Sequence, residues 1–240
     1  MRYGVVSDIH SNWEALEAVL AECRKLRVGA LLCCGDVVGY GADPKKCLDA
    51  LRKLNVPVVA GNHDWAVSGR LDSSYFTQDG KAAVVWTRTR LGLEDITYLN
   101  ALPLQLKNKD CILVHSSLKD PVHFTYLTDP AKAADAFAVM EDHVCFVGHT
   151  HVPVIFTKCG ANIYKNDGAI EINPECKYIV NAGSVGQPRD GNPLASFCVY
   201  DTAVKTIEIR RVLYDVRTAQ QKILEAGLPQ ALSVRLAAGQ

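Results

Sequence analysis

The sequence predicts an α/β protein in which two packed sheets form one domain spanning residues 1–240. Strands and helices alternate in the first quarter of the chain, which is typical of a parallel sheet with helices on its faces. Short β-type runs separated by turn residues follow residue 151, as expected for antiparallel or mixed strands. A length of 240 residues and a hydrophobic content of 48% suffice for a sizeable core, and no repeat or linker divides the chain.

The first quarter of the chain has a β-α-β-α-β pattern. Asn12 can cap the first helix, whose apolar residues recur at helical spacing. Asp43 followed by Pro44 is typical of an N-cap with proline in the first turn, and it predicts the start of the second helix. The apolar runs that predict strands are residues 3–7, 30–34 and 56–60.

The remainder of the chain is predicted to contain further helices and several short strands. A helical stretch spans about 77–102, another begins at Asp129-Pro130, and a last one covers 215–226, whereas the tail after Pro229 is weakly specified. The predicted strands are residues 111–114, 144–147, 152–158, 177–180, 195–200 and 206–212.

The charge balance and the hydropathy pattern exclude several classes of partner. The 26 Lys and Arg residues equal the 26 Asp and Glu residues, so the net charge gives no support for binding a nucleic-acid polymer or an anionic membrane. No run of about 18 apolar residues could span a bilayer. The first apolar run ends at Ser7, too early for the core of a signal peptide. We therefore expect a cytoplasmic protein without a membrane partner.

The nine cysteines do not have the pattern of a disulfide framework. Their number is odd, no Cys-x-x-Cys pair occurs, and several lie in apolar runs, among them Cys33, Cys34, Cys111, Cys145 and Cys198. We expect all nine to be reduced, to pack as small apolar side chains in a reducing compartment, and to bind no metal.

Carboxylate, amide and imidazole side chains follow the predicted strands at the point where each strand ends. In open parallel sheets ligands bind outside the carboxyl ends of the strands, so these residues are expected to meet at one edge. Each pattern alone is a weak signal, but their common position after successive strands favours a shared site. The residues are Asp8, His10, Asp36, Asn62, His63, Asp64, His115, His149 and His151.

This set of side chains predicts a two-metal site for phosphate esters. Imidazole and carboxylate groups together suit Zn, Mn, Fe or Ni, and the motifs contain no cysteine for a thiolate zinc site. About eight ligands are too many for one ion and match two. Two ions roughly 3.5–4 Å apart are a recurrent arrangement for the cleavage of phosphate esters.

The order of these motifs resembles the calcineurin-like metallophosphoesterase superfamily, and within it the compact bacterial and archaeal phosphodiesterase-like subgroup. The similarity runs from Tyr3 to about Tyr200, and the segments 7–12, 35–41 and 181–191 carry the marks of the subgroup. The resemblance implies a four-layer α/β/β/α sandwich of two mixed sheets flanked by helices.

The resemblance also implies a role for each site residue. Asp8, His10 and His151 would bind one metal ion, Asn62, His115 and His149 would bind a second, and Asp36 would bridge the two. His63 would be a catalytic residue that faces the substrate phosphate without binding metal. The cofactors would be two divalent or trivalent transition-metal ions, with Mn preferred over Fe, Ni or Zn. The implied reaction is hydrolysis of phosphodiesters or small nucleotide phosphate esters through attack by a metal-bridging hydroxide.

Two segments depart from family patterns. The Ser/Thr protein phosphatases of the superfamily carry Gly-Asp-x-Val-Asp-Arg-Gly, whereas Gly39 and Tyr40 occupy the places of the second Asp and the Arg, which argues against a protein phosphatase. Ser116, Ser117 and Leu118 stand where the subgroup usually has Gly-Ser-Pro after the histidine. Either a bulkier loop crowds that side of the site, or two hydroxyl groups add polar contacts.

Arg189 and Tyr40 are candidate substrate-binding residues with open alternatives. Arg189 could reach a phosphate or nucleotide with bidentate geometry, or it could pair with Asp190 or a neighbouring carboxylate in a surface turn. Tyr40 could stack on a base or pack under the edge of the site. The expected partner is a small phosphate ester or nucleotide, and a homo-oligomer stays open.

Three other functions are compatible with the same fold. They are a phosphomonoesterase, a nuclease and a catalytically silent scaffold that binds protein. A nuclease would favour a strip of basic residues beside the site, which the sequence lacks. A scaffold would favour the loss of ligand residues, and no ligand position is lost here.

Overall fold

The computed structural model describes residues 1–159, 163–165 and 168–240, with only the backbone described for 163–165. The strands are β1 (Arg2–Val6), β2 (Ala30–Cys33), β3 (Gln105–Lys107), β4 (Ile112–Val114), β5 (Val144–Val147), β6 (Val154–Thr157), β7 (Ile163–Lys165), β8 (Gly168–Glu171), β9 (Tyr178–Asn181), β10 (Ala195–Asp201) and β11 (Thr206–Val212). The α-helices are α1 (Trp13–Lys25), α2 (Pro44–Lys53), α3 (Asn62–Ser68), α4 (Gln78–Arg88), α5 (Leu93–Ala101), α6 (Pro130–Val139), α7 (Val216–Glu225) and α8 (Gln230–Ala238).

The strands form two mixed sheets. The five-stranded sheet has the order β2-β1-β10-β11-β8, in which β1 and β2 are parallel and the other neighbours are antiparallel. The six-stranded sheet has the order β3-β4-β5-β9-β6-β7, with a parallel centre formed by β4, β5 and β9. The loops after β1, β2, β4 and β5 meet at one edge, as the sequence predicts.

Alternating side chains place the two sheets between two layers of helices. Val5 points into the core between the sheets, whereas its neighbour Val6 packs against α1 and the other helices on the outer face of the five-stranded sheet. Phe137 of α6 belongs to a third core on the outer face of the six-stranded sheet. The predicted four-layer α/β/β/α sandwich is therefore confirmed.

Two predicted elements are wrong in detail. The predicted strand 56–60 is reduced to a single bridge between Cys33 and Val58, because Pro57 has no N–H and the N–H of Ala60 donates to the Pro103 carbonyl instead, at 2.7 Å. The predicted helix 77–102 is divided into α4 and α5 at a turn. Gly92 is the N-cap of α5, and its N–H donates to the Asp95 carboxylate at 3.2 Å.

The prediction that all nine cysteines are reduced is wrong. Cys159 and Cys176 form a disulfide with their Cα atoms 5.4 Å apart. The antiparallel register of β6 and β9 pairs Thr157 with Tyr178, and its continuation by two residues brings the two cysteines opposite each other. This proximity comes from strand pairing and not from sequence spacing. The remaining cysteines are free and buried.

Several elements have no counterpart in the prediction. They are α3, β3, β7, β8 and the helix α8 in the weakly specified tail. Among the residues that the structure describes, no helix combines the length and the apolar composition needed to cross a membrane.

Candidate metal centre

The loops at the shared edge contain a cluster of strained backbone conformations. A left-handed backbone is uncommon for residues other than glycine, and clusters of it are found at functional sites, where the surrounding structure holds it in place. Seven such residues with φ between 48° and 68° lie in these loops: Asp8, His10, Ser11, Asp36, Tyr40, His149 and His151.

Close backbone contacts hold the loops together. The N–H of Asp8 donates to the Gly35 carbonyl and the N–H of His10 donates to the Asp36 carbonyl, both at 3.0 Å. Gly61 packs so closely on Asp36 that a Cβ atom at this position would lie 2.0 Å from Asp36 Oδ1. A side chain at position 61 would therefore displace the carboxylate from the site.

Three histidines have their ring orientation fixed by the backbone. In each ring Nδ1 lies 2.6–3.2 Å from a carbonyl oxygen, to which it donates, so in the neutral ring the lone pair lies on the opposite nitrogen, Nε2. The pairs are His10 with Val38, His115 with Cys34, and His151 with Gln187.

The lone pairs of His10 and His151 face each other. Their Nε2 atoms are 3.0 Å apart, and both rings already use Nδ1 as donor, so no hydrogen bond can join them. Ligand nitrogens bound at about 2.0–2.1 Å to one ion lie at a similar separation. The donor set therefore fits a metal ion, which would turn a repulsive contact into two bonds.

The donors form three groups in which ligand atoms lie within 4.8 Å of one another. Asp8, His10 and His151 form the first group, and Asp36, His115 and His149 form the second. A third group, His10, Asp36 and His63, overlaps the other two.

Asp36 and Asn62 complete the donor cluster. Asp36 Oδ2 lies 3.4 Å from His115 Nε2 and 3.6 Å from His10 Nε2, between the two groups. Asn62 Oδ1 lies 3.3 Å from His115 Nε2, on the side of the second group. We call the set Asp8, His10, Asp36, Asn62, His115, His149 and His151 the donor cluster.

Charges within the donor cluster shift the pKa values of its members. Burial alone would raise the pKa of Asp36, but the neighbouring His115 and His63 rings outweigh burial and hold that pKa well below its usual range. Burial lowers the pKa of His149 to about 3. Burial would also lower the pKa of His115, but the Asp36 carboxylate outweighs it and raises the pKa to about 9. The carboxylates are thus held in the anionic form that binds cations.

His63 lies beside the donor cluster. Its N–H donates to Asp36 Oδ1 at 2.8 Å, and its ring packs between Tyr40 and Phe76, with centroids 4.3 and 4.7 Å away. Nδ1 is buried and has no hydrogen-bond partner among the described residues. Burial lowers the pKa of His63 to about 4. His63 also lies within 4.8 Å of donor atoms of His10 and Asp36, so its role as a non-ligand stays a prediction.

Asp64, whose partners the sequence left open, connects two loops of the site. Its Oδ1 accepts from the N–H groups of Val37 and Val38 at 3.0 and 3.2 Å, and its Oδ2 accepts from the Gly61 N–H at 3.0 Å. Burial, with a further contribution from the Asp36 charge, raises the pKa of Asp64 to about 7. Asp64 thus holds the loop that carries Asp36 against the start of α3.

Arg189 does not pair with Asp190, which instead forms an ion pair with Arg211. Arg189 Nη2 donates to Gln187 Oε1 at 2.9 Å and to the Tyr40 hydroxyl at 3.4 Å, and the guanidinium lies 5.7 Å from the Tyr40 ring centroid. Both of these acceptors are neutral, so the positive charge of Arg189 has no carboxylate partner among the described residues.

The donor cluster opens into a cavity of about 740 Å³. Tyr40, His63 and Arg189 line it together with part of the donor cluster. Its more distant lining, which we call the outer wall, consists of Leu71, Asp72, Tyr75, Phe76, Thr77, Val122, His123, Phe124, Tyr126, Arg235 and Gln240. Sequence reasoning missed the outer wall, because its residues come from separate segments with no common motif.

Ser116, Ser117 and Leu118, which replace the usual Gly-Ser-Pro, begin a loop that borders the site. Ser116 Oγ is buried with no partner among the described residues, and Ser117 Oγ accepts only a long hydrogen bond of 3.4 Å from the Lys119 N–H. The loop instead supplies an aromatic side chain, because the Tyr126 ring stacks on His149 at 4.1 Å. The loop therefore contributes the Tyr126 ring to this side of the site, while neither serine hydroxyl forms a hydrogen bond with a described residue of the donor cluster.

A family model described as the calcineurin-like phosphoesterase superfamily domain matches residues 1–205. The chain belongs to this superfamily. It is therefore a metallophosphoesterase, a metal-dependent hydrolase of phosphate esters, and its donor cluster contains groups that could bind metal. This finding confirms the resemblance seen in the motifs.

Relatives of similar length cover almost the whole chain. "Uncharacterized protein MJ0912" of Methanocaldococcus jannaschii is 41% identical over 239 residues, which are 98% of this chain and 97% of the relative. The crystal structure of a metallophosphoesterase from Sphaerobacter thermophilus is 37% identical, with a TM-score of 0.90 and coverage of 100% of this chain and 99% of its own. The hypothetical protein PH1004 from Pyrococcus horikoshii OT3 shares the fold at 22% identity, with a TM-score of 0.83 and coverage of 100% and 98%.

Proposed function

We propose that the protein hydrolyses phosphodiesters or small nucleotide phosphate esters with the help of two metal ions. The observation that carries this proposal is the position of Asp36 between two groups of donors, one of which contains two imidazole lone pairs facing each other at 3.0 Å. One ion would be held by Asp8, His10 and His151. The second would be held by the remainder of the donor cluster, with Asp36 shared.

The donor atoms limit the choice of metal. They are imidazole nitrogens and carboxylate or amide oxygens without sulfur, a set that suits Mn, Fe, Ni or Zn. We propose Mn as the first metal to test. Bound ions would supply positive charge to the phosphate oxygens and would lower the pKa of a water molecule that serves as nucleophile.

The chain itself would orient the phosphate and assist the leaving group. Arg189 lines the cavity with its charge unpaired by a carboxylate, so it can donate two hydrogen bonds to phosphate oxygens. His63 also lines the cavity; its Nδ1 is buried against Gly39, so Nε2 is the nitrogen left for a substrate. We assign to His63 the transfer of a proton to the departing oxygen, for which the negative charge of a bound phosphate must first raise the pKa of His63 from its value of about 4.

The cavity favours a small substrate with an aromatic group. Its volume of about 740 Å³ lies in the range that is usual for small-molecule sites, about 300–1,000 Å³. Tyr75 in the outer wall is 92% exposed, so its ring is free to stack on a nucleobase, whereas Tyr126 is 47% exposed and already stacks on His149 with one face. Positions 39 and 40 carry Gly and Tyr in place of the Asp and Arg of the protein phosphatases, which continues to argue against a protein phosphatase.

A substrate panel tests this proposal. The protein would be stripped of metal with a chelator, reloaded separately with Mn, Ni, Co, Zn or Mg, and assayed on bis-p-nitrophenyl phosphate, p-nitrophenyl phosphate, dinucleoside polyphosphates and single-stranded DNA. We expect the stripped protein to be inactive, Mn to restore activity, and the diesters and small nucleotides to be the best substrates.

The other outcomes of the panel identify the alternatives. A higher kcat/KM for p-nitrophenyl phosphate would identify a phosphomonoesterase, and a preference for single-stranded DNA would identify a nuclease. No hydrolysis with any metal would identify a silent scaffold. Metal analysis of the reloaded protein should show two ions per chain, and one ion would contradict the two-metal proposal.

A further inference from the structure

The last helix supplies a charged side chain to the cavity from outside the family domain. The family model matches residues 1–205, whereas α8 spans Gln230–Ala238. Arg235, in the last turn of α8, nevertheless lines the same cavity as Arg189 and the donor cluster. The cavity is therefore completed by a segment that the family match does not include.

The position of α8 is fixed by packing. Leu232 and Leu236 are buried in the core between the helices and the five-stranded sheet, and Gln220 Nε2 of α7 donates to the Ser233 carbonyl at 2.8 Å. These contacts hold the helix by its apolar face, so Arg235 is presented from a rigid element rather than from a mobile tail.

The end of α8 is also joined to the loop that carries Arg189. The Gly191 N–H donates to the Gly239 carbonyl at 2.9 Å. Gly239 has a φ of 64°, and a Cβ atom there would lie 2.6 Å from the Asn192 nitrogen, so only glycine allows this contact. One contact between the two segments thus sets the position of Arg235 relative to Arg189.

The two arginines leave positive charge in the cavity without a protein counter-ion. Arg189 has neutral acceptors, and the Arg235 side chain forms no hydrogen bond or ion pair among the described residues. Asp72, the one Asp or Glu side chain described in the outer wall, accepts a hydrogen bond from its own turn and lies beyond ion-pair distance of both guanidinium groups. Two like charges that face one cavity repel each other unless an anion lies between or beside them.

We propose that Arg235, together with Arg189, binds a second anionic group on the substrate, remote from the phosphate that is cleaved. The substrate class is then a phosphate ester that carries a further phosphoryl group. This inference rests on the proposed function, since it places the cleaved phosphate at the donor cluster. A basic residue in the last turn of a helix, such as Arg235, interacts favourably with the helix dipole. That interaction would stabilise the fold but would not select a substrate.

Two matched substrates test this inference. They are the p-nitrophenyl ester of thymidine 5′-phosphate and the same ester with an additional 3′-phosphate, which share the bond that is cleaved and the leaving group. For the Mn-loaded protein we expect a KM about tenfold lower for the 3′-phosphorylated ester, the size of one charged hydrogen bond. Arg235→Gln should reduce this ratio of KM values to near one, and Arg235→Lys should retain part of it.

The control is Arg217→Gln, which removes an exposed charge from the neighbouring helix α7 and does not touch the described cavity lining. It should keep the full ratio. A wild-type ratio near one, or a ratio that Arg235→Gln leaves intact, would overturn the inference. A fall in the Tm of Arg235→Gln with an unchanged ratio would assign Arg235 a structural role only.

A binding measurement separates this inference from the proposed function. Calorimetry on the Mn-loaded protein would compare thymidine 3′,5′-bisphosphate with thymidine 5′-phosphate, without any turnover. Tighter binding of the bisphosphate by wild type, but not by Arg235→Gln, would support the inference even if neither ester is hydrolysed. The lack of hydrolysis would then count against the proposed function alone. Equal binding of both nucleotides by wild type would overturn the inference even if both esters are hydrolysed.

Discussion

The donor cluster and the outer wall of the cavity differ in how their side chains are held. Three histidines of the donor cluster are buried and have their rings oriented by backbone carbonyls, and its loops adopt left-handed conformations that the surrounding contacts enforce. In the outer wall Tyr75 is exposed, Tyr126 is half-buried against His149, and the Arg235 side chain has no hydrogen-bond or ion-pair partner among the described residues. We infer that the rigid donor cluster carries out the chemical step and that the more exposed outer wall selects the substrate.

The largest expected effect is that of Asp36→Asn. This change removes negative charge from the carboxylate that lies between both donor groups, so it should nearly abolish turnover through the loss of several kcal/mol of transition-state stabilisation. The measurement is kcat/KM on bis-p-nitrophenyl phosphate, together with metal content and circular dichroism. Asp49→Asn, an exposed carboxylate that pairs with Lys45, serves as control and should leave kcat/KM unchanged. More than about a tenth of wild-type kcat/KM in Asp36→Asn would contradict the shared role.

The next largest effect is expected for His63→Gln. General acid catalysis contributes about 10²–10⁴-fold when the leaving group is poor, whereas nitrophenolate leaves without a proton. The variant should keep its metal and should lose much more rate on a nucleoside or alkyl ester than on a nitrophenyl ester. His143→Gln, an exposed histidine outside the site, is the matched control.

Either of two results would change the role of His63. A fall in metal content would make it a ligand, which its distance to His10 and Asp36 allows. An equal loss of rate on both esters would make it an electrostatic stabiliser of the phosphate and not a proton donor.

Arg189→Ala should have an intermediate effect that appears in KM. A hydrogen bond to a charged group contributes about 1.5–3 kcal/mol, so KM for a nucleotide substrate should rise by at least about tenfold and more than KM for a small aryl phosphate. Arg90→Ala, which removes a cation that packs on Trp86 outside the cavity, controls for the change in net charge. Equal increases for both substrates would show that Arg189 does not select the nucleotide.

The smallest effect is expected for Tyr75→Ala in the outer wall. Stacking of a base on an aromatic side chain contributes about 1–3 kcal/mol, and a single exposed ring should lie at the lower end, which corresponds to a few-fold rise in KM for a nucleoside ester. The Tm should not change, because the side chain is 92% exposed. A large fall in kcat with KM unchanged would contradict the division between the two regions.

The sequence by itself determined the fold class and the members of the donor cluster. Asp8, Asp36, His115 and His149 each follow a strand whose apolar run is visible in the sequence. Parallel pairing brings the ends of β1 and β2 together in one sheet and the ends of β4 and β5 together in the other, and the packing of the two sheets then joins the two pairs. The helix caps at Asn12 and Asp129 could also be predicted from local sequence. In each, the side-chain oxygen accepts a hydrogen bond from the backbone N–H three residues later.

The tertiary structure alone decided the features that depend on contacts between distant segments. The disulfide depends on the register of β6 and β9, and the role of Asp64 depends on the approach of two loops. The segment 56–60 pairs with β2 only around Val58, because the Ala60 N–H donates to the Pro103 carbonyl instead. The outer wall is the clearest case, because Tyr75, Tyr126 and Arg235 share no motif and meet only when the chain is folded. Local sequence specifies strands, turns and caps through short-range sterics and hydrogen bonds, whereas these contacts are set by the packing of whole layers.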